Sequence, residues 1–190
     1  MCRMSCCCLA RYASPLGALL LAGRGAALVG AWFEGQRHFA SGCNLLQAAW
    51  ADSPCLSAAR SWLDAYFAGL LPELPPPLAP KGTPFQQAVW QQLLCIPYGH
   101  TTTYGAIAAV LRARGMRASA QAVGGAVGRN PLSLFIPCHR VLGADGSLTG
   151  YAAGVEKKQW LLRHESLPAV LPCFPAQKSV SSSSENALQI

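Results

Sequence analysis

The sequence predicts an α+β protein: a small N-terminal sheet domain with a covering helix, followed by a mainly helical C-terminal domain that contains a helix-turn-helix. Three features carry this assignment. Residues 9–33 are short apolar segments punctuated by Pro15, Gly17, Gly23, Gly25 and Gly30, the pattern of strands joined by tight turns. After Thr83, apolar positions recur at three- and four-residue steps behind helix-start signals. Between these regions lies Leu-Pro-Glu-Leu-Pro-Pro-Pro-Leu-Ala-Pro at 71–80, an extended, stiff run that no helix can continue through.

Composition narrows the function. The chain has 190 residues, 52% hydrophobic and 12% charged, which excludes wholesale disorder and allows a packed core. The formal charge of +7 is unevenly spread: residues 81–165 carry nine basic and three acidic side chains, residues 1–80 five and four. Such a concentration points to a polyanionic partner, nucleic acid before an anionic membrane, although a solvated basic face is the plain alternative. No apolar run reaches the roughly 18 residues of a membrane span, so a soluble protein is expected. Leu16–Ala22 is short for a signal-peptide core, contains Gly17 and is closed by Arg24. The nine cysteines are odd in number and four crowd at Cys2, Cys6, Cys7 and Cys8, which fits a reducing cytoplasm better than a disulfide framework. Without paired CxxC or HxxxH spacing, no metal site is expected.

The elements follow in order. Leu45, Leu46 and Ala49, then Leu56, Ala59, Leu63 and Phe67, predict helices over the sheet, interrupted at Ser53-Pro54. Residues 71–81 read as a linker. Thr83-Pro84 starts a helix with Phe85, Val89, Leu93 and Leu94 as its apolar stripe, ending before Pro97 and Gly99. Thr103 caps a second helix with Ile107, Val110 and Leu111 inward, and Ser119 or Ala120 opens a third that runs through Val123 and Val127 toward Asn130-Pro131. Joined by the basic turn Arg112, Arg114, Gly115, Arg117, this pair resembles a helix-turn-helix. Its second member is nearly bare, with Ala120, Ala122, Gly124, Gly125, Ala126 and Gly128. Glycines weaken a helix, so a reason is needed; close approach to a nucleic-acid groove and tight packing on another helix would each supply one. A strand-like run, Leu132–Ile136, then leads into Pro137-Cys138-His139-Arg140-Val141 and a glycine-rich turn. A final helix, 155–165, closes on Trp160, Leu161 and Leu162, and 166–190, with three prolines and Ser181–Ser184, reads as a disordered tail.

Cys138 stands apart from the other cysteines, which read as small hydrophobic or terminal residues. It follows a proline that restrains the backbone and precedes His139 and Arg140, a setting that favours a thiolate. A Cys beside a His is weak alone, because neighbours on an extended segment point to opposite sides.

Pro137-Cys138-His139-Arg140-Val141 resembles the active-site signature of the O6-alkylguanine-DNA alkyltransferases, the methylated-DNA–protein-cysteine methyltransferases. Gly82-Thr83-Pro84-Phe85-Gln86, Ile96-Pro97-Tyr98-Gly99, Thr103-Tyr104, Ala122-Val123-Gly124, Asn130-Pro131, Gly150-Tyr151 and Leu161-Leu162-Arg163-His164-Glu165 follow that family in order and spacing. Ser14-Pro15-Leu16-Gly17 and Leu28–Gly35 resemble its N-terminal domain more loosely.

The resemblance implies a ribonuclease H-like domain over 1–70 and a catalytic DNA-binding domain over 82–165. It implies irreversible transfer of an alkyl group from O6-alkylguanine to Cys138, without a cofactor. His139 would take the Cys138 proton through a water, Glu165 would orient His139, Asn130 would brace the turn, and Tyr104 would donate a hydrogen bond to the base. Glu165→Gln is then expected to slow transfer while the fold survives. Val141, Tyr151, Ala152 and Val127 would line the pocket for a flipped-out base. Gln121, Ala122, Gly124, Arg129 and Arg140 would contact duplex DNA through the minor groove. Familiar members place an Arg where this chain has Gln121, and the zinc ligands some members carry in the N-terminal domain have no match here. A monomer in the cytoplasm is expected, nucleoid-associated in a bacterium or nuclear in a eukaryote. The competing readings are an alkyltransferase-like protein that recognises damage without repairing it, disfavoured by Cys138, and a cysteine hydrolase, which leaves the DNA-binding helix unexplained.

Overall fold

The computed structural model of the chain describes residues 7–70 and 74–166; the tail expected over 166–190 lies almost wholly outside them, as do Cys2 and Cys6. Strands β1 (Cys8–Ser14), β2 (Gly17–Arg24) and β3 (Ala27–Phe33) form an antiparallel meander. The first turn pairs Ser14 with Gly17, where φ is 104°, and the Ser14 hydroxyl donates to Gly17 O at 2.6 Å. A two-residue β4 (Ala49–Trp50) adds parallel to β1, giving the order β3-β2-β1-β4.

Alternation along β2 buries both faces. Leu19 and Leu21 point to the main core with Cys55, Leu56, Ala59, Leu63 and Tyr66 of helix α1 (Pro54–Phe67). Leu20 and Ala22 join Leu9, Trp32 and Ala40 on the other face. Ser53 caps α1 by accepting from Leu56 N. The helix expected before Ser53 is instead a single 3-10 turn, Leu45–Gln47, with none of its residues buried and Leu46 99% exposed, so no apolar stripe is packed here to hold a longer helix.

Residues 74–80 run extended but are tied to the sheet. Leu78 bridges Leu28, with Leu28 N donating to Pro77 O (2.8 Å) and Ala79 N to Leu28 O (2.9 Å). Then come α2 (Pro84–Leu94), β5 (Thr102–Thr103), α3 (Tyr104–Ala113), α4 (Ala120–Val127), β6 (Val141–Leu142) and α5 (Val155–Ser166), with β5 and β6 paired in parallel. Thr83, Thr103 and Ser119 cap α2, α3 and α4, and Thr83 forms a full capping box with Gln86. The stripes differ in detail from expectation. Trp90 is buried and donates its indole N–H to Ala126 O (3.0 Å), whereas Leu94 and Val110 are exposed and Ala108 takes the inward place. On α5 the buried positions are Lys158, Leu161 and Glu165, not Trp160 and Leu162.

The run 132–136 is not a strand. Ile136 N donates back to Leu132 O (2.9 Å) across a tight turn in which Leu134 has φ 74°. Its start borrows the sheet: Ala31 N donates to Pro131 O and Ser133 N to Ala31 O, both at 2.9 Å.

Candidate active site

Asn130, 4% exposed, holds the turn that precedes Cys138. Its Oδ1 accepts from Leu132 N (3.0 Å), and its Nδ2 donates to Ile136 O (2.8 Å) and to Cys138 Sγ (3.1 Å). Residues 138–140 form a 3-10 turn, so successive side chains fan out by about a third of a revolution rather than opposing one another. That is how Cys138, His139 and Arg140 can all be buried while reaching different partners.

His139 and Arg140 converge on Glu165 of α5, 4% exposed. Glu165 Oε1 accepts from His139 Nε2 (2.7 Å), Arg140 Nη2 (2.9 Å) and the Tyr66 hydroxyl (2.8 Å). Oε2 accepts from Arg140 Nε (2.8 Å) and Gly99 N (3.2 Å). One carboxylate thus serves five donors. Burial pushes its pKa up, but hydrogen bonds and charge from His139 and Arg140 outweigh burial and hold it well below the usual carboxylate range. An ionised carboxylate only accepts, so His139 Nε2 carries the hydrogen and Nδ1 keeps a free lone pair. Nδ1 is buried without a hydrogen-bond partner among the described residues. Burial holds His139 below its ordinary pKa, only partly offset by Glu165, so the ring is neutral.

Burial raises the Cys138 thiol above its ordinary pKa, opposed by the Asn130 hydrogen bond and by the positive charge of Lys158. Tyr104 donates its hydroxyl to Thr149 O (2.8 Å), and the Tyr151 ring lies edge-on to His139 with centroids 6.4 Å apart. Burial pushes both tyrosines up, so they stay protonated donors.

The remaining predicted residues divide. Gln121, Ala122 and Arg129 are exposed on or just after α4, Gly124 is half-buried beside the Tyr104 ring, and Arg129 Nη1 donates to Gly125 O (3.1 Å). Tyr151 and Ala152 line a cavity of about 610 Å³ with Arg37, His38 and the α4 glycines. Val127 (1% exposed) and Val141 (0%) do not line it; they are core residues, and what Val141 offers is its carbonyl oxygen. Arg140 is corrected. Rather than facing DNA it is 9% exposed, paired to Glu165 and bonded to Ile96 O (2.6 Å), because Glu165 would otherwise be a buried charge lacking its cation.

Sequence reasoning missed three participants. Tyr66 lies 99 residues from Glu165, beyond any local pattern. Gly99 contributes only a backbone N–H. Lys158 had a signal: it shares the three- and four-residue spacing of Leu161 and Glu165, which puts a charge on an inward stripe. Among the described residues no group of three or more His, Cys, Asp or Glu side chains is placed to hold a metal ion, and no helix is long and apolar enough to cross a membrane.

The arrangement defines a class: an α+β protein in which a helix-turn-helix lies against a buried cysteine backed by an imidazole–carboxylate pair. Residues 84–167 match the family model described as 6-O-methylguanine DNA methyltransferase, DNA binding domain, and residues 9–80 match its ribonuclease-like domain. A methylated-DNA–protein-cysteine methyltransferase of Mycobacterium tuberculosis is 44% identical over 164 residues, covering 85% of this chain and 94% of that protein. Its counterpart in Mycobacterium leprae is 45% identical over 152 residues, covering 80% and 88%. The crystal structure of Mycobacterium tuberculosis OGT in complex with DNA is similar with a TM-score of 0.69 at 43% identity, covering 82% of this chain and 91% of that one. This chain belongs to the 6-O-methylguanine DNA methyltransferase family.

Proposed function

We propose that the chain repairs DNA by moving an alkyl group from the O6 of guanine to Cys138 Sγ, once per molecule. The observation that carries this reading is the Cys138 thiol on its 3-10 turn, held by Asn130 and next to a His139 ring whose Nε2 is spoken for by Glu165 at 2.7 Å. His139 Nδ1 accepts the thiol proton through a water, the thiolate attacks the alkyl carbon in line, and the carbon–O6 bond breaks as a thioether forms. The proton that left the thiol ends on the guanine. Tyr104 donates to the base as its negative charge develops. A thioether offers water no useful leaving group, so the protein is spent.

The target atom lies inside duplex DNA, so the nucleotide is flipped into a pocket walled by residues 141–154, to which Val141 brings its main chain and not its buried side chain, while α4 enters the minor groove. Intramolecular packing does not demand the bareness of α4. A Cβ on Gly124 would come no nearer than 3.8 Å to Tyr104, and one on Gly125 no nearer than 3.6 Å to Arg129, both ordinary contacts. Nothing among the described residues accounts for two poor helix formers, and close approach to a groove supplies the reason. The parts divide at the proline-rich segment, 1–70 supporting and 82–165 acting, in a single chain working where the cell keeps its DNA.

The test uses duplex DNA with a radiolabelled methyl on the guanine O6. Label moves to the protein, one per chain, on Cys138; Cys138→Ala takes none yet still binds duplex. Label that stays on tightly bound DNA means recognition without repair, and label released as a small molecule means a hydrolase. Either result, or repeated turnover, overturns the reading.

A further inference from the structure

The mechanism above asks Tyr104 to donate a hydrogen bond to the base, yet a hydroxyl has one hydrogen and this one is already committed. It goes to Thr149 O at 2.8 Å. Tyr104 abuts two glycines that line the cavity of about 610 Å³: a Cβ on Gly124 would stand 3.8 Å from its ring and one on Gly150 2.6 Å from its hydroxyl. Tyr104 is not itself among the residues lining that cavity. The donor is therefore stationed at the edge of the cavity, bonded to the protein.

Thr149 O has a second donor. Lys158 of α5, which has no part in the mechanism above, is fully buried and donates its Nζ to Thr149 O at 2.7 Å and to Val141 O at 2.5 Å. Charged or neutral, a lysine amine has at least two N–H bonds, one for each carbonyl. Val141 belongs to β6, which pairs with β5, Thr102 opposite Val141 and Thr103 opposite Leu142. Tyr104 follows β5 directly. Lys158 thus ties the turn at Thr149 to the small sheet from which Tyr104 projects.

A carbonyl oxygen has two lone pairs, so Thr149 O can lose one donor and keep the other. Thr149 is exposed in the free chain, where water can replace a lost partner. A base lying against Tyr104 shuts that water out, and a carbonyl deserted by its only donor would then be left unpaired, which is costly.

We propose that Tyr104 exchanges acceptors during the reaction, leaving Thr149 O for the base, and that Lys158 permits the exchange by keeping that carbonyl bonded and in place. The inference rests on the alkyl-transfer reading and deepens it. No proton changes owner: the hydroxyl keeps its hydrogen and redirects it. Before the base arrives, Thr149 O holds Tyr104 beside the cavity; afterwards Lys158 alone holds the turn. Lys158 is a positioning residue that acts through Tyr104.

The experiment is a double-mutant cycle on the full chain, read as the single-turnover rate with a free O6-alkylguanine base, so that DNA binding does not enter. Tyr104→Phe removes the redirected donor and slows transfer. Lys158→Met slows the parent by roughly tenfold, because Tyr104 is then retained on Thr149 O. In the Tyr104→Phe background there is no hydroxyl to release, and Lys158→Met costs no more than about twofold. A lysine that only supports the fold slows both backgrounds alike, and equal losses overturn the proposal. A second readout keeps Lys158 and decides alone if Lys158→Met fails to fold. In Cys138→Ser, whose hydroxyl does not attack, the carbon NMR signal of Tyr104 Cζ, assigned by its loss in Tyr104→Phe, moves when free O6-methylguanine is added. A signal that stays in place at saturating base overturns the proposal. A signal that moves while the parent chain takes no alkyl on Cys138 would instead leave the exchange standing and overturn the transfer reading.

Discussion

Glu165→Gln isolates the buried carboxylate, and the geometry adds a cost in stability to the expectation from sequence. Sequence reasoning expects the variant to keep its fold and react slowly. The geometry gives Glu165 five donors, two of them from the Arg140 guanidinium. A glutamine supplies one accepting oxygen and turns an N–H₂ toward donors, leaving Arg140 a buried cation without its anion. Breaking a buried ion pair on one side costs about 3–5 kcal/mol. For a protein of this size each kcal/mol lowers Tm by roughly 2–4 °C, so the loss should be roughly 6–20 °C. Transfer should also slow by roughly 10² or more as His139 loses its orienting charge. Scanning calorimetry and urea denaturation measure the first effect, single-turnover labelling the second. Arg140→Met in the same background should recover part of the lost stability, because the stranded charge goes with it. A Tm within about 2 °C of the parent, or single-variant costs that add within about 0.5 kcal/mol, would refute the account of Glu165 as the carboxylate that neutralises Arg140.

Asn130→Ala should cost about 1–3 kcal/mol in urea denaturation, since it strands Leu132 N and Ile136 O in a buried turn, and should slow transfer by releasing Cys138 Sγ. Gln121→Arg, on the exposed first turn of α4, should add about 0.9 to the slope of log affinity against log salt for duplex DNA and leave the free-base rate unchanged. Gly150→Ala places a Cβ 2.6 Å from the Tyr104 hydroxyl at a φ of 73°. It should cost roughly 1–2 kcal/mol of backbone strain and depress the transfer rate by displacing Tyr104 from Thr149. The Glu165 carboxyl is lower in the folded than in the unfolded chain, so its stabilisation is complete above the ordinary value of 4.5 and is lost as pH falls from there. Denaturation midpoints should therefore fall with acid more steeply in the parent than in Glu165→Gln.

What the sequence made legible was whatever is written locally. The caps at Ser53, Thr83, Thr103 and Ser119, the meander with its glycine turns, and the Cys138–His139 neighbourhood all depend on residues a few positions apart. Periodicity alone did not settle which apolar residues are inside. Val110 and Ala108 sit two positions apart on α3, so they lie on different faces of the helix, and it is the smaller one that is buried. The direction of Arg140 was illegible for the same reason: a basic residue in a basic domain reads as a DNA contact until its long-range partner Glu165 is seen. The 132–136 run failed differently. Its composition suits a strand, but Asn130 and the end of β3 satisfy its backbone groups in another way.

The N-terminal sheet is more than a neighbour of the reacting domain. The turn 131–137 hangs between two anchors: Asn130 from below, and the edge of β3 at Ala31, which exchanges two backbone hydrogen bonds with Pro131 and Ser133. Gln36 adds a third tie, its Oε1 accepting from the Ser133 hydroxyl (3.1 Å) and from Phe33 N (2.9 Å). On the far side of the site, α1 sends the Tyr66 hydroxyl to Glu165, and the Tyr66 carbonyl lies 2.7 Å from His164 Nε2. The turn that bears Cys138 and the helix that bears Glu165 are thus each fastened to the same rigid sheet-and-helix unit. A displacement of about 1 Å between nucleophile and base is enough to cost a reaction of this kind roughly 10² in rate. A scaffold that bonds to both halves of the site therefore sets the geometry on which transfer depends, although it contributes no reacting atom.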